Sequence, residues 1–217
     1  MEAFVARSRN RKMKTTDSAF QKFACFVTRI VEPLELDRSI LEIVAHGTVS
    51  QNFEKGDYIS EADQTVKHLF FINSGLLRYY YLDERSGGER TGQFFDEDSI
   101  YTDITSFVTQ LPSRQFIQAL EPSEIVSISR KAIYEAYASS HAIERFGRLM
   151  LEQALIGSQR RTSSFMNESV EERYRNLMDQ RKNLARRVPQ YILASYLGVT
   201  PEALSRIRRK SISRQIS

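Results

Sequence analysis

A single cysteine, Cys25, occurs in the 217 residues. It excludes an internal disulfide, and equally an iron–sulfur cluster held by four thiolates of one chain. Histidine is almost as scarce, and His46, His68 and His141 lie scattered without metal-ligand spacing. A cupin-like metal site, which needs two or three histidines converging with a carboxylate, is therefore not available. There is no glycine-rich phosphate loop, and no nucleophile, base and orienting group can be assembled into a constellation. The sequence does not read as an enzyme. No apolar run approaches the ~20 residues of a membrane span. The start, MEAFVARSRNRKMKTTD, is basic but lacks the apolar segment of a secretory signal. Residues 1–17 read as a basic flexible tail on a cytoplasmic protein.

Hydrophobic residues make up 41% of the chain, enough for one large core or two modest ones. The net charge of +4 hides a strong asymmetry. Residues 173–217 hold eleven Lys and Arg against only Asp179 and Glu202, and residues 1–14 hold five against Glu2. The stretch between them holds 15 basic and 24 acidic residues. A basic end beside an acidic body fits a chain that meets a polyanion at one end only.

The basic end carries the most specific pattern. Residues 191–210, YILASYLGVTPEALSRIRRK, read as two short helices joined by a tight turn. Pro189 suits the first turn of a helix. Leu193, Tyr196 and Leu197 share one face, and Ala194 is small enough for a second helix to cross closely. Gly198 stands where the first helix must stop in the left-handed conformation. Thr200 can cap the next helix, and Pro201 fits its first position. Ala203, Leu204 and Ile207 form an inward stripe, while Glu202, Ser205, Arg206 and Arg209 share the opposite face. That is the pattern of a helix-turn-helix, whose partner is the major groove of double-stranded DNA. The outward face lacks the large apolar residues of an interfacial helix, which argues against a membrane.

Between residues 49 and 129 the pattern changes to short β-rich segments. Residues 68–73, 76–82, 91–95, 115–120 and 124–129 read as strands, punctuated by turns such as Ser74-Gly75 and the polar loop 83–88. Their close spacing, with no helix expected between them, predicts an antiparallel barrel or roll. Residues 19–31 and 37–45 precede it as helices, and 131–138 follows as another. Residues 141–167 then predict a long helix of roughly 40 Å. It carries one stripe of Ile143, Phe146, Met150, Ala154 and Gly157, and a second of Leu151 and Leu155. Two stripes imply two contacts, the chain's own core and a partner subunit, with Gly157 permitting close approach. A further helix is expected at 170–180.

The expected fold is thus α+β: a tail (1–17), helices with a β-roll (18–138), a long dimerisation helix (139–168) and a helix-turn-helix (169–217). This order resembles the cyclic-AMP receptor and fumarate–nitrate regulator (Crp/Fnr) family of bacterial transcription factors. The resemblance spans roughly residues 49–210. FEKGDYISEADQTVKHLFFINSGLLRYYYL is similar to the family's opening strands, with Gly56 and Gly75 at its turn glycines. LASYLGVTPEALSRIRRK resembles its DNA-reading unit, with Glu202 and Arg206 on the Glu-x-x-x-Arg positions. Pro201 replaces an arginine common in the family. The resemblance implies a homodimer that reads DNA with Thr200, Pro201, Glu202, Ser205, Arg206 and Arg209. RNA polymerase is a further candidate partner. The family's β-hairpin wing has no room in 181–188, so phosphate contacts are expected from Arg181, Lys182, Arg186 and Arg187.

The ligand motif is altered. Nucleotide-binding members carry Gly-Glu-(Leu or Ala) and, about ten residues later, Arg-(Ser or Thr)-Ala. Thr102-Asp103-Ile104 and Ser113-Arg114-Gln115 stand at those places, and Ser158 at the hydroxyl position that touches adenine. Asp103, Ser113, Arg114 and Ser158 are the effector-pocket candidates, but a one-residue slip turns Arg114 to the other face of its strand. No cofactor is required by the sequence, and the altered motif speaks against a cyclic nucleotide. The competing reading is a small-molecule sensor whose C-terminal hairpin binds a protein.

Overall fold

A computed structural model describes residues 11–216. In chain order the elements begin with β1 (Arg11–Lys12), α1 (Ser18–Val31), α2 (Arg38–His46), β2 (Thr48–Phe53) and β3 (Tyr58–Ser60). There follow β4 (His68–Ser74), β5 (Leu77–Leu82), β6 (Glu89–Phe95), β7 (Ile100–Tyr101), α3 (Ile104–Thr109), β8 (Phe116–Ala119) and β9 (Ser123–Ser129). The rest is helical: α4 (Arg130–Ser139), α5 (His141–Asn167), α6 (Val170–Gln180), α7 (Lys182–Arg187), α8 (Gln190–Leu197) and α9 (Pro201–Ile216). The chain divides into two compact units. One comprises the chain up to Tyr79 with Phe94–Ala154, and the other Tyr80–Gln93 with Leu155–Ser217.

The first unit is built on an antiparallel roll. One sheet runs β1-β2-β9-β4-β7 and the other β3-β8-β5-β6. β4 and β9 are central, pairing Phe70 with Ser127 and Ile72 with Ile125. Their side chains alternate between two cores, as the pleat requires. Phe70, Ile72 and Ile125 pack inside the roll with Phe53, Val66, Leu77, Ile117 and Ala119. Phe71, Val126 and Ile128 face the other way, against Phe20, Phe23 and Val27 of α1, Val44 of α2, Ala136 of α4 and Phe146 of α5. Burial on both faces explains why β4 reads as an unbroken apolar run rather than an alternating one. At Gly75 φ is +97°, and an added Cβ would stand 2.1 Å from Ser123 Oγ, so this turn accepts only glycine.

In the first unit two features stand out as different from the sequence reading. The expected tail is structured from Arg11 onward: Arg11 and Lys12 pair with Ser50 and Val49, and Met13 is buried. An edge strand two residues long carries too little pattern to stand out in a sequence. Residues 1–10 lie outside the described residues. The second difference is α3, which interrupts a region expected to be helix-free. It is six residues long and has no apolar periodicity; its start is set by a side chain, Asp103, whose carboxylate accepts from the Thr105 and Ser106 amides.

The second unit holds its own core: Tyr174 and Leu177 of α6, Leu184 of α7, Ile192, Leu193, Ala194 and Leu197 of α8, and Leu204 of α9. Ser169 and Glu172 form a capping box that starts α6. α7 fills the stretch that is too short for a wing. The segment Tyr80–Gln93, expected as part of the roll from its place in the sequence, groups with these helices.

Candidate nucleic-acid interface and effector pocket

The α8–α9 corner is set by local chemistry. Gly198 ends α8 with φ +75°, and Thr200 Oγ1 accepts from the Ala203 amide to start α9 (3.3 Å). Leu204 is 0% exposed and anchors the inner side of α9, with Ala203 and Ile207 half-buried beside it. Opposite them Thr200, Pro201, Glu202, Arg206 and Arg209 are exposed. Ser205 is half-buried and accepts a hydrogen bond from Gln190 Nε2 at 2.8 Å, so it also ties α9 to α8. The Glu202 carboxyl is held below the usual carboxylate range, chiefly by its own backbone N–H and then by the Thr200 hydroxyl, with a smaller pull from Arg206. On α7, Arg186 is exposed and Arg187 half-buried.

The far end of α8 is held by residues that the sequence did not single out. Arg161 of α5 donates to the Tyr196 carbonyl (2.9 Å), and Arg173 of α6 donates to the Leu197 carbonyl (3.1 Å). Both guanidinium groups stack on Phe165, at 4.9 and 4.6 Å from its centroid, and Arg161 also lies 4.0 Å from that of Tyr196. The last carbonyls of a helix are electron-rich and lack intrahelical donors, so cations satisfy them well. In the sequence these arginines read as ordinary charges on a helix face; only the fold shows where they end.

The effector candidates lie in both units, Asp103, Ser113 and Arg114 in the first and Ser158 in the second. Asp103 and Ser113 do come together. The Ser113 hydroxyl donates to Asp103 Oδ2 at 2.7 Å, and the other carboxylate oxygen accepts from the Thr105 and Ser106 amides at 3.0 and 3.3 Å. Arg114, the next residue, is exposed while Ser113 is buried, and both lie in the loop before β8. Ser158 is exposed on α5, in the second unit. Within the roll Tyr79, Phe95 and Tyr101 stack on one another, Phe95 and Tyr101 with centroids 4.2 Å apart, and the Tyr101 hydroxyl donates to Gln115. A cyclic phosphate needs free amides and an inward cation. Here the Thr105 and Ser106 amides already serve the Asp103 carboxylate, and Arg114 is exposed. These residues do not fit a cyclic nucleotide.

His68, in β4, is held below its ordinary value, by burial and then by the neighbouring Lys67 charge. Among the described residues no group of three potential metal ligands converges. Nor, among them, is any helix long and apolar enough to cross a membrane.

The geometry defines a class: an antiparallel roll, a long helix, and a helix-turn-helix with a basic outer face. Residues 50–140 match the family model of the cyclic nucleotide-binding domain. Among solved structures, FixK2 from Bradyrhizobium japonicum superposes with a TM-score of 0.69 at 16% identity, over 78% of this chain and 86% of that one. A putative transcriptional regulator of the Crp/Fnr family from Eubacterium rectale gives 0.67 at 16%, over 85% and 88%. The c-di-GMP-responsive global regulator CLP from Xanthomonas campestris gives 0.65 at 16%, over 82% and 93%. No curated protein matches the chain. The fold is that of the Crp/Fnr regulators.

Proposed function

We propose that this chain is a sequence-specific DNA-binding transcription regulator of the Crp/Fnr kind, acting as a homodimer in the cytoplasm. The observation that carries this reading is the outer face of α9, where Glu202, Arg206 and Arg209 stand exposed while Leu204 anchors the helix from behind. Glu202 and Arg206 are the base-reading pair, with Ser205 and Arg209 beside them. Thr200 and Pro201 approach the backbone at the helix start, and Arg186 and Arg187 neutralise phosphates. The fold shared with Crp/Fnr regulators and the basic C-terminal segment support the reading.

The dimer is supported by α5. Its N-terminal part buries Ile143 and Phe146, with Met150 packed partly against the same core, whereas Leu151 and Leu155 are 51% and 60% exposed. An added Cβ at Gly157 would meet nothing within 4 Å, so this glycine leaves room for a second helix. Pairing through this stripe would set two recognition helices in successive major grooves, about 34–36 Å apart. The bonding of Asp103 to Ser113 and the exposure of Arg114 favour an effector of the roll other than a cyclic nucleotide. RNA polymerase is the protein partner through which such a regulator would act.

The test is selection of duplexes from a random pool, followed by gel-shift titration at two salt concentrations. Sequence-selective shifts that weaken steeply with salt are expected. Absence of any shift at low ionic strength would sink the proposal and leave the protein-binding sensor in its place.

A further inference from the structure

The strand that groups with the C-terminal helices is joined to them by a specific set of polar bonds. β6 is the last strand of its sheet, so among the described residues one of its edges has no neighbouring strand. Residues two apart on a strand present their backbone groups to the same edge. The Ser195 hydroxyl of α8 donates to the Glu89 carbonyl (2.6 Å) and accepts from the Thr91 amide (3.0 Å). Arg161 donates to the Thr91 carbonyl at 3.1 Å. One residue pair further along, the Tyr196 hydroxyl donates to Gln93 Oε1 at 3.3 Å. Ser195 and Arg161 thus do for part of β6 what another strand would do at the edge of a sheet.

The character of these bonds matters. The helical part of the unit has its own apolar core, from Tyr174 to Leu204, and these four bonds to β6 are all polar. Arg161 has two tasks: one guanidinium nitrogen, Nη2, reaches both the Thr91 carbonyl and the Tyr196 carbonyl. It therefore locks the strand edge and the end of α8 to each other. While the contact is made, Glu202, Arg206 and Arg209 remain exposed.

We propose that the outer edge of β6 is a seat that fixes the pose of the helix-turn-helix for DNA binding, with Ser195 and Arg161 as positioning residues. The inference rests on the DNA-binding reading above. A seated recognition helix meets DNA without first being ordered; an unseated one must be ordered at the moment of binding, and its affinity falls by the fraction of time it spends elsewhere.

The test uses the full-length chain with Ser195→Ala and, separately, Arg161→Gln. Hydrogen exchange is followed at the Thr91 amide, and affinity for a selected duplex is measured across a salt series. Ser195→Ala is expected to speed Thr91 exchange by about tenfold, in line with local opening of a bond at a strand edge. It should weaken specific binding by about fivefold. The salt slope should not change, because no phosphate contact is removed. Arg161→Gln should produce the same loss of affinity with faster exchange through Tyr80–Gln93. Unchanged Thr91 exchange, or equal DNA affinity of the wild type and both variants, overturns the proposal. A wild type that shifts no duplex overturns the DNA-binding reading instead, and faster exchange in Ser195→Ala would then show the seat without its assigned purpose.

Discussion

Ser113 donates its hydroxyl to the carboxylate of Asp103 at 2.7 Å, and both residues are almost completely buried. With the Thr105 and Ser106 amides on the same carboxylate, the start of α3 holds an internal anion. Asp103→Ala leaves these donors without an acceptor and should cost about 1–3 kcal/mol, read from urea denaturation. Millimolar cyclic AMP or cyclic GMP should leave the wild-type melting temperature unchanged. A rise of several degrees with either nucleotide would contradict the self-filled site.

Gly198 and Phe165 constrain each other. Gly198 has φ +75°, and a Cβ there would lie 2.9 Å from the Phe165 ring. Gly198→Ala should cost about 1–2 kcal/mol from backbone conformation alone, with the ring contact adding to it. In the Phe165→Leu background part of the added loss should vanish, so the two substitutions will not be additive. Strict additivity in thermal melts would show that the ring is not what the Cβ meets.

On α9, Arg206→Ala should reduce discrimination between the selected duplex and random DNA by about 1–3 kcal/mol. Arg187→Ala should weaken both to a similar extent and lower the salt slope by about one. Indistinguishable effects in the two variants would mean that Arg206 is a phosphate contact and not a base reader.

The Leu151 and Leu155 stripe predicts the oligomeric state. Sedimentation at micromolar concentration should show a dimer of the 25.1 kDa chain. Leu155→Glu should give a folded monomer, because the side chain is mostly exposed within its own chain. A wild type that sediments only at 25.1 kDa would remove the dimer from the reading.

His68 predicts a pH effect of known sign. Burial first, and Lys67 second, favour its neutral form in the fold. The unfolded chain therefore binds the proton more readily. The contribution of His68 is complete above the unfolded value, about 6.5, and is lost as pH falls toward and through the lowered folded value. His68→Gln should flatten the stability profile across that window. An equally steep fall in the variant would place the effect on other groups.

Much of this arrangement is legible in the sequence, for identifiable reasons. α5 follows apolar stripes along its length, and α6 starts at a capping box written in Ser169 and Glu172. Gly198, Thr200 and Pro201 mark the α8–α9 turn through backbone conformation and capping alone. Other features are not legible. α3 is too short to show a period and depends on the Asp103 side chain for its start. β1 is two residues paired with a strand some forty positions away. Arg161 and Arg173 look like solvated charges until the fold brings the last carbonyls of α8 within their reach.

The amino-acid order alone determined the elements whose causes lie within a few residues: the longer helices, the main strands, the corner between α8 and α9, and its charged outer face. Tertiary structure decided what meets what. It turned Asp103, an effector-pocket candidate in the sequence, onto the Ser113 hydroxyl and the first amides of α3, and it brought Ser195 to the edge of β6 across 104 positions of chain. Local conformation follows from short-range sterics and capping, which neighbouring residues encode. A hydrogen bond between distant segments depends on where the packed cores bring their backbones, and no short window of sequence carries that information.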